Sequence, residues 1–392
     1  MRKTLLFLIV LVFFGGCSRS KSFVKDELKV FSITEKPKIS EIKLSTLGFF
    51  DIEYIPLEST DSSLFKGINM IKTSEDFFLI HTYDRILRFG RNGSYEATIG
   101  SSGRGPDEYL VANDIEIDKE NHQLYIVDGL KKQLLVYSDD GKLLRKHNIV
   151  CASGIQFRFI NDGFLCYNEN HSGNVENSYI FIDTCGRIIK SFSNKYPFVN
   201  QSKWVSIHEN IFYIHNNRLY KKEIYSDTVY VFDNMNFKPC FIIRAGERLI
   251  TPEARSTFDG LYIAANYINP WNLLEFGDYI YYEYQYEYRL GEKNIIYGFV
   301  GSRENDFNAC INSEQGIVND LDNGPNIKPG TSFDDNTIIS WIDAFELKSY
   351  TSSNLFRTSS PKYPEKKKEL EKLAARLKET DNPVLMLVKL KN

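Results

Sequence analysis

The chain has 392 residues, with 48 Lys and Arg against 51 Asp and Glu, a net charge of −3. Hydrophobic residues make up 42% and charged residues 25%, which suits a packed core and excludes a disordered chain. No basic block marks a nucleic-acid surface. Phe, Tyr, Ile and Val are abundant while Ala is sparse, a balance that favours strands over helices.

The chain opens with Arg2 and Lys3, then an unbroken apolar run from Leu5 to Phe14, then Gly15 and Gly16. That order reads as a secretory leader over residues 1–16, because a membrane span needs about 20 apolar residues. Phe14-Gly15-Gly16-Cys17 resembles the lipobox of bacterial lipoproteins, with Phe where Leu is usual. The resemblance implies that Cys17 is acylated and becomes the new N-terminus. Two or more acyl chains hold stably where one does not. Residues 17–40 then read as a lipid-anchored tether and lead-in, and the protein is expected in the bacterial cell envelope, facing the periplasm or the cell surface. Five further cysteines, Cys151, Cys166, Cys185, Cys240 and Cys310, form an odd set without CxxC spacing, so most read as small buried hydrophobes.

Regular patterning is expected from near Ile42. Asp51 to Leu57 alternates polar and apolar residues, as a half-buried strand does. A weak repeat follows, with apolar cores at Phe77–Ile80, Leu124–Val127, Phe164–Tyr167, Ile211–Ile214, Tyr279–Tyr282 and Ile338–Trp341. Second strands at Ile86–Phe89, Leu134–Tyr137 and Tyr179–Ile182 run into Asn92-Gly93, Asp140-Gly141 and Cys185-Gly186. The first two pairs read as type I′ hairpin turns. Four short strands per roughly 40–50 residues is the period of propeller blades. The expected fold is all-β, a six-bladed β-propeller over residues 41–392, with seven blades also compatible. Extra length falls in 246–270 and 342–382. One amphipathic helix is expected as an insertion over 361–381, carrying Leu370, Leu373, Ala374 and Leu377 on one face. Val384 to Leu390 then reads as a closing strand that pairs with the strand near Asp51–Leu57 and removes two bare edges.

The run Ile99 to Tyr109, then Asp114 to Asp118, Leu124 to Asp128 and Tyr137 to Gly141, resembles the family of bacterial six-bladed β-propeller lipoproteins. Tyr54 to Glu58 and Asn382 to Leu385 are similar to that family's ends. The resemblance implies fold and anchoring, and little about activity.

Signals for chemistry are sparse. The six histidines, His81, His122, His147, His171, His208 and His215, form no HExxH motif. Gly103-Arg104-Gly105-Pro106 lacks the third Gly of a dinucleotide loop and the Lys of a P-loop, so it reads as a blade-to-blade crossing. Arg104 is either a channel-facing anion ligand or part of a structural ion pair. Asp320 to Gly324 and Asp334-Asp335-Asn336 fit solvated turns better than Ca²⁺ loops. Tyr282, Tyr284, Tyr286 and Tyr288 alternate with polar residues. On one strand they either form a stacking platform for sugars or pack between blades, and packing fits better. No cofactor or metal site is expected. The expected function is a binding or scaffold module with a carbohydrate or protein ligand. The competing class is a propeller enzyme (polysaccharide lyase, glycoside hydrolase or quinoprotein-like) with carboxylates converging at the central channel.

Overall fold

A computed structural model describes residues 28–33, 37–151, 154–200 and 208–391. The expected leader 1–16, Cys17 and the tether to residue 27 lie outside the described residues. Two strands come first, β1 (Lys29–Ser32) and β2 (Phe49–Pro56), separated by a 3-10 turn at Leu44–Leu47. Blade 1 is β3 (Met70–Thr73), β4 (Phe77–His81), β5 (Ile86–Gly90) and β6 (Tyr95–Thr98). Blade 2 is β7 (Asp114–Asp118), β8 (Gln123–Asp128), β9 (Gln133–Ser138) and β10 (Leu143–Asn148). Blade 3 is β11 (Ile155–Ile160), β12 (Gly163–Asn168), β13 (Asn177–Asp183) and β14 (Ile188–Ser193). Blade 4 is β15 (Asn210–His215), β16 (Arg218–Glu223), β17 (Thr228–Asp233) and β18 (Asn236–Arg244). After two short helices, α1 (Pro252–Thr257) and α2 (Gly260–Asn266), blade 5 is β19 (Asn269–Phe276), β20 (Tyr279–Gln285), β21 (Ile296–Ser302) and β22 (Asn308–Asn312). Blade 6 starts with β23 (Thr331–Asp334) and β24 (Thr337–Ile342). Three helices interrupt it, α3 (Ala344–Ser352), α4 (Asn354–Thr358) and α5 (Pro364–Arg376), before β25 (Val384–Leu390).

The fold is a six-bladed β-propeller whose blades are four-stranded antiparallel sheets in chain order from the centre outward, except that β2 is the outer strand of blade 6 and β1 adds a fifth, parallel strand to blade 4. Middle strands are apolar on both faces because a neighbouring blade covers each face. Every residue of β4 is buried, for example, while β10 on the outside alternates. Hydrophobic clusters fill the wedge between each pair of neighbouring blades. Phe157, Phe164 and Cys166 pack on Tyr125 and Val136 between blades 3 and 2. Leu385 and Leu387 pack on Phe78 and Leu87 between blades 6 and 1.

The ends of the chain close the ring. β2 pairs antiparallel with β25 from Phe49–Leu390 to Pro56–Val384, so blade 6 takes its outer strand from the N-terminus. Regular structure also begins earlier than the alternation near Ile42 suggests. β1 lies parallel on the outer edge of β18, giving blade 4 a fifth strand. The chain then bridges from Ile39 to Cys310 on blade 5 and from Lys43 to Val318 before entering β2. The segment before β2 is therefore a strap across blades 4, 5 and 6, not a slack lead-in.

Three further expectations are corrected. Four helices join the expected one, and α5 ends at Arg376, short of 381. α1 and α2 are too short for a helical period to show in sequence. At Asn92-Gly93 and Asp140-Gly141 only the glycine is left-handed (φ +85° and +89°), and the strand register shifts nearby, at Arg88/Phe89 and Leu143/Arg145, so each turn is followed by a bulge and is not type I′. Consecutive left-handed residues occur instead at Asn161-Asp162, Asn216-Asn217 and Asn234-Met235. Finally, the repeat core at Ile211–Ile214 belongs to the inner strand of blade 4, whereas the other five lie on second strands.

All five cysteines after Cys17 are free, with Cys151, Cys166 and Cys310 buried. Among the described residues no helix is long and apolar enough to cross a membrane.

Closure predicts two outcomes. Removing residues 383–392 should abolish cooperative unfolding, read by circular dichroism. Leu387→Ala, at a fully buried position of β25, should lower stability by about 2–5 kcal/mol in urea titration.

Candidate functional site

In a four-stranded up-and-down blade, the 1→2 and 3→4 links share one face of the ring. The 2→3 links and the crossings to the next blade share the other. The first class is uniformly tight here, from 161–162 and 216–217 up to 303–307. Every long connection falls in the second class: 57–69, 99–113, 194–209, 245–268, 286–295, 313–330 and 343–383. One face is thus a trimmed set of polar turns, and the other is elaborated.

The elaborated face also carries most of the large apolar side chains left in water. Leu64, Leu110 and Val111, Val150, Val199, and Leu261 with Tyr262 lie in crossings between blades. Tyr83, Leu130, Leu290, Phe345 and Leu355 lie in 2→3 links. None of the exposed large hydrophobics lies in a tight turn of the opposite face, among the described residues. The exposed apolar groups are thus biased to one side of the ring.

Buried charge holds the elaborated connections in place. Arg255 on α1 is fully buried and meets Glu209 at 3.0 Å and the Tyr225 hydroxyl at 2.7 Å, with its guanidinium 4.4 Å from the Phe198 ring centre. Glu209 also accepts from the Asn170 N–H and the Tyr167 hydroxyl. On blade 6, α5 packs Leu370 and Ala374 against Leu347, Phe356 and Val384.

The channel holds a charged cluster shared by the inner strands of blades 1, 2 and 3. Lys72 donates to Glu116 at 2.6 Å and lies 3.4 Å from Asp114. Arg158 donates to Asp114 at 2.5 Å and lies 3.5 Å from Glu116. The same carboxylates accept the Phe157 and Phe159 N–H groups, which face inward with no neighbouring strand. Burial alone would raise the Asp114 carboxyl, but Arg158 and Lys72 beside it hold it below the usual carboxylate range. The two acids are therefore consumed by two bases and two backbone donors, which makes a latch between blades and not a free acid pair.

Arg104 is exposed in the 99–113 crossing and makes no ion pair among the described residues. The loop is shaped by Glu108, which accepts from the Gly105 N–H. The tyrosine run does not form a platform. β20 ends at Gln285, and Glu287 is left-handed (φ +56°), so the alternation stops before Tyr288. Tyr282 and Tyr284 are 1% exposed and stack on each other between blades 4 and 5, while Tyr286 packs partly buried beside them. Wedge filling accounts for the run.

The acidic turns are structural as well. Asp320 accepts from the Ser45 N–H and hydroxyl, and Asp322 sits buried under the Tyr54 hydroxyl and the Asn319 amide. Asp320 thus ties the strap, and Asp322 ties the outer strand of blade 6, to the 313–330 connection. Burial pushes the Asp322 carboxyl up. Asp335 accepts from the Asn216 N–H, joining the tight turns of blades 6 and 4. His208 stacks near Trp271 before β15, and His215 lies at the far end of that strand beside Asp335. Among the described residues no group of three His, Cys, Asp or Glu side chains converges for a cation.

Blade 4 hides two charges that the sequence pattern does not flag. Lys221 is buried in a cage, with the Tyr179 and Phe237 ring centres at 4.2 and 4.4 Å, and pairs with Glu223. Lys222 points to the other side of β16 and donates to the Ser226 carbonyl at 3.0 Å. Burial pushes the Lys222 ammonium down to about 8.

The model of a domain family of unknown function, DUF4934, matches residues 28–389. A protein from Bacteroides fragilis described as exported has a similar structure, at 16% identity and TM-score 0.68, covering 93% of this chain and 100% of that one. A member of another family of unknown function, DUF4221, from Bacteroides vulgatus aligns at 11% identity and TM-score 0.50, covering 88% and 97%. At these identities the likeness establishes fold alone. No protein of curated function matches the sequence.

Two predictions come from the buried charges. Arg158→Met leaves Lys72, 3.4 Å away, as the one base beside the buried Asp114 carboxylate and should cost up to about 3–5 kcal/mol, read by thermal or urea unfolding. Lys222 binds its proton less tightly folded than unfolded, so the unfolded state holds more protons between about pH 8 and pH 10.4. Wild-type stability should therefore rise through that window relative to Lys222→Met. Paired denaturant titrations at pH 7 and pH 10 should show the variant's relative advantage shrinking as pH rises.

Proposed function

We propose that this chain, which belongs to the DUF4934 family, is a lipid-anchored binding module of the bacterial cell envelope that engages its partner through the elaborated face. The observation that carries the reading is the segregation of long connections and exposed apolar side chains onto one face. Small turns suffice to build a propeller, so the long connections are not demanded by the fold. The leader and the Cys17 motif support export and anchoring, and likeness to a Bacteroides protein described as exported supports export. A binding role is favoured over catalysis at the channel by the full engagement of Asp114 and Glu116 with Lys72 and Arg158.

The strap suits an anchored module. Lys29 donates to the Asn305 carbonyl at 2.8 Å beside a tight turn, and the Ile33 carbonyl accepts from Arg248 in a long crossing. The described chain thus enters at the outer rim, between the two faces. Residues 18–27 could span about 35 Å if fully drawn out, so an anchor at Cys17 would leave both faces open to the compartment.

Two experiments test this. Cys17→Ser should abolish acyl labelling and release the protein to the soluble fraction, and continued membrane association would contradict the anchor. A photo-crosslinking side chain at Leu290 or Val150 should give discrete adducts in cells, and one at Asn216 or Asp162 on the tight-turn face should give none. Adducts from the tight-turn positions alone would overturn the assignment of the face.

A further inference from the structure

Two segments that the ring itself does not require face each other across the end of blade 6. One is the 313–330 connection, and the other is the α3–α4 insertion. Between them is a cleft of about 340 Å³. Trp341, Ile342 and Met386 from blade 6 supply its apolar side. Lys328 contributes from one segment, Glu346 and Tyr350 from the other. From these features we infer that the cleft binds a small zwitterion, an α-amino acid or dipeptide, with its carboxylate toward Lys328 and its ammonium toward Glu346. The inference rests on the reading of the elaborated face as the binding face.

Charge decides the class. Lys328 and Glu346 lie on opposing segments, and neither side chain has a hydrogen-bond or ion-pair partner among the described residues. They do not pair with each other. Lys328 also acts at a distance on the Glu283 carboxylate, which accepts the Ser313 hydroxyl and so is already engaged. Both side chains are exposed, so a ligand with a single charge gains one attraction and, by covering the cleft, takes water from the other charge without replacing it. A ligand carrying both signs satisfies both. Trp341 and Met386 then offer an apolar surface to the ligand's side chain, and the Asn326 amide, whose nitrogen donates to the Gln315 carbonyl, keeps an acceptor oxygen at the same wall. The volume is at the small end of ligand sites, which run from about 300 Å³ upward, so one or two residues fit and a long peptide does not.

The test is calorimetry on the detergent-solubilised full chain. The probes are L-phenylalanine, leucyl-phenylalanine, N-acetyl-phenylalanine amide and N-acetylglucosamine. A zwitterionic probe should bind, and the uncharged amide should bind at least tenfold more weakly. Lys328→Met and Glu346→Gln should each weaken binding about tenfold or more, with Lys328→Arg retaining most of it and circular dichroism unchanged throughout. Equal binding of the uncharged amide, binding of the sugar alone, no binding of either zwitterion, or unaltered affinity in both charge variants would overturn the proposal. Intact crosslinks from Leu290 together with any of those results would remove the cleft assignment and leave the face assignment standing.

Discussion

The ladder between β2 and β25 is the constraint on which the rest of the structure depends. A propeller blade is stable only between neighbours, because its middle strands are apolar on both faces. Blade 6 supplies the last neighbour to blades 5 and 1, and it is complete only when the N-terminal strand joins the C-terminal one. Val384 to Val388 are buried without interruption. Their burial joins the core between blades 5 and 6, the core between blades 6 and 1, and the helical insertion that packs on Val384. The strap then repeats the principle on a smaller scale, binding blades 4, 5 and 6 along the outside.

Once the ring is closed, polar groups at its centre must be satisfied inside it. Inner strands have one edge with no neighbouring strand, so their inward N–H groups need acceptors. Asp114 and Glu116 supply them, and Lys72 and Arg158 neutralise the acids. These four side chains at the channel are thereby committed to structure. Freedom to vary lies in the connections, and those are elaborated on one face only.

Much of the architecture is legible in the sequence because it depends on short-range pattern. The apolar second strands, the Gly-marked turns, the alternation of Asp51 to Leu57 and the apolar end of the chain are all readable one segment at a time. Blade 4 is where that reading slips. Its second strand is Arg218–Glu223, and Lys221, Lys222 and Glu223 are buried there only because an aromatic cage, a backbone carbonyl and each other receive them. A pattern that equates charge with exposure passes over that strand and takes Ile211–Ile214 instead. The strap is missed for a related reason, since Lys29–Ser32 is short and pairs with residues more than two hundred positions away. The tyrosine run illustrates the opposite error. Its alternation is continuous in sequence, but the left-handed residue at Glu287 ends it in space. The face that carries the long connections could not be read at all without knowing which strand of each blade precedes each loop.

Native-state hydrogen exchange tests most directly whether closure governs the whole ring. If it does, the amides of β2 and β25 open only by global unfolding, with the same free energy as those of β8 and β12 in the middle of blades 2 and 3. Exchange of β2 through a low-energy local opening, with β8 and β12 still fully protected, would contradict the account, because it would show a ring that stays folded with its closing ladder undone.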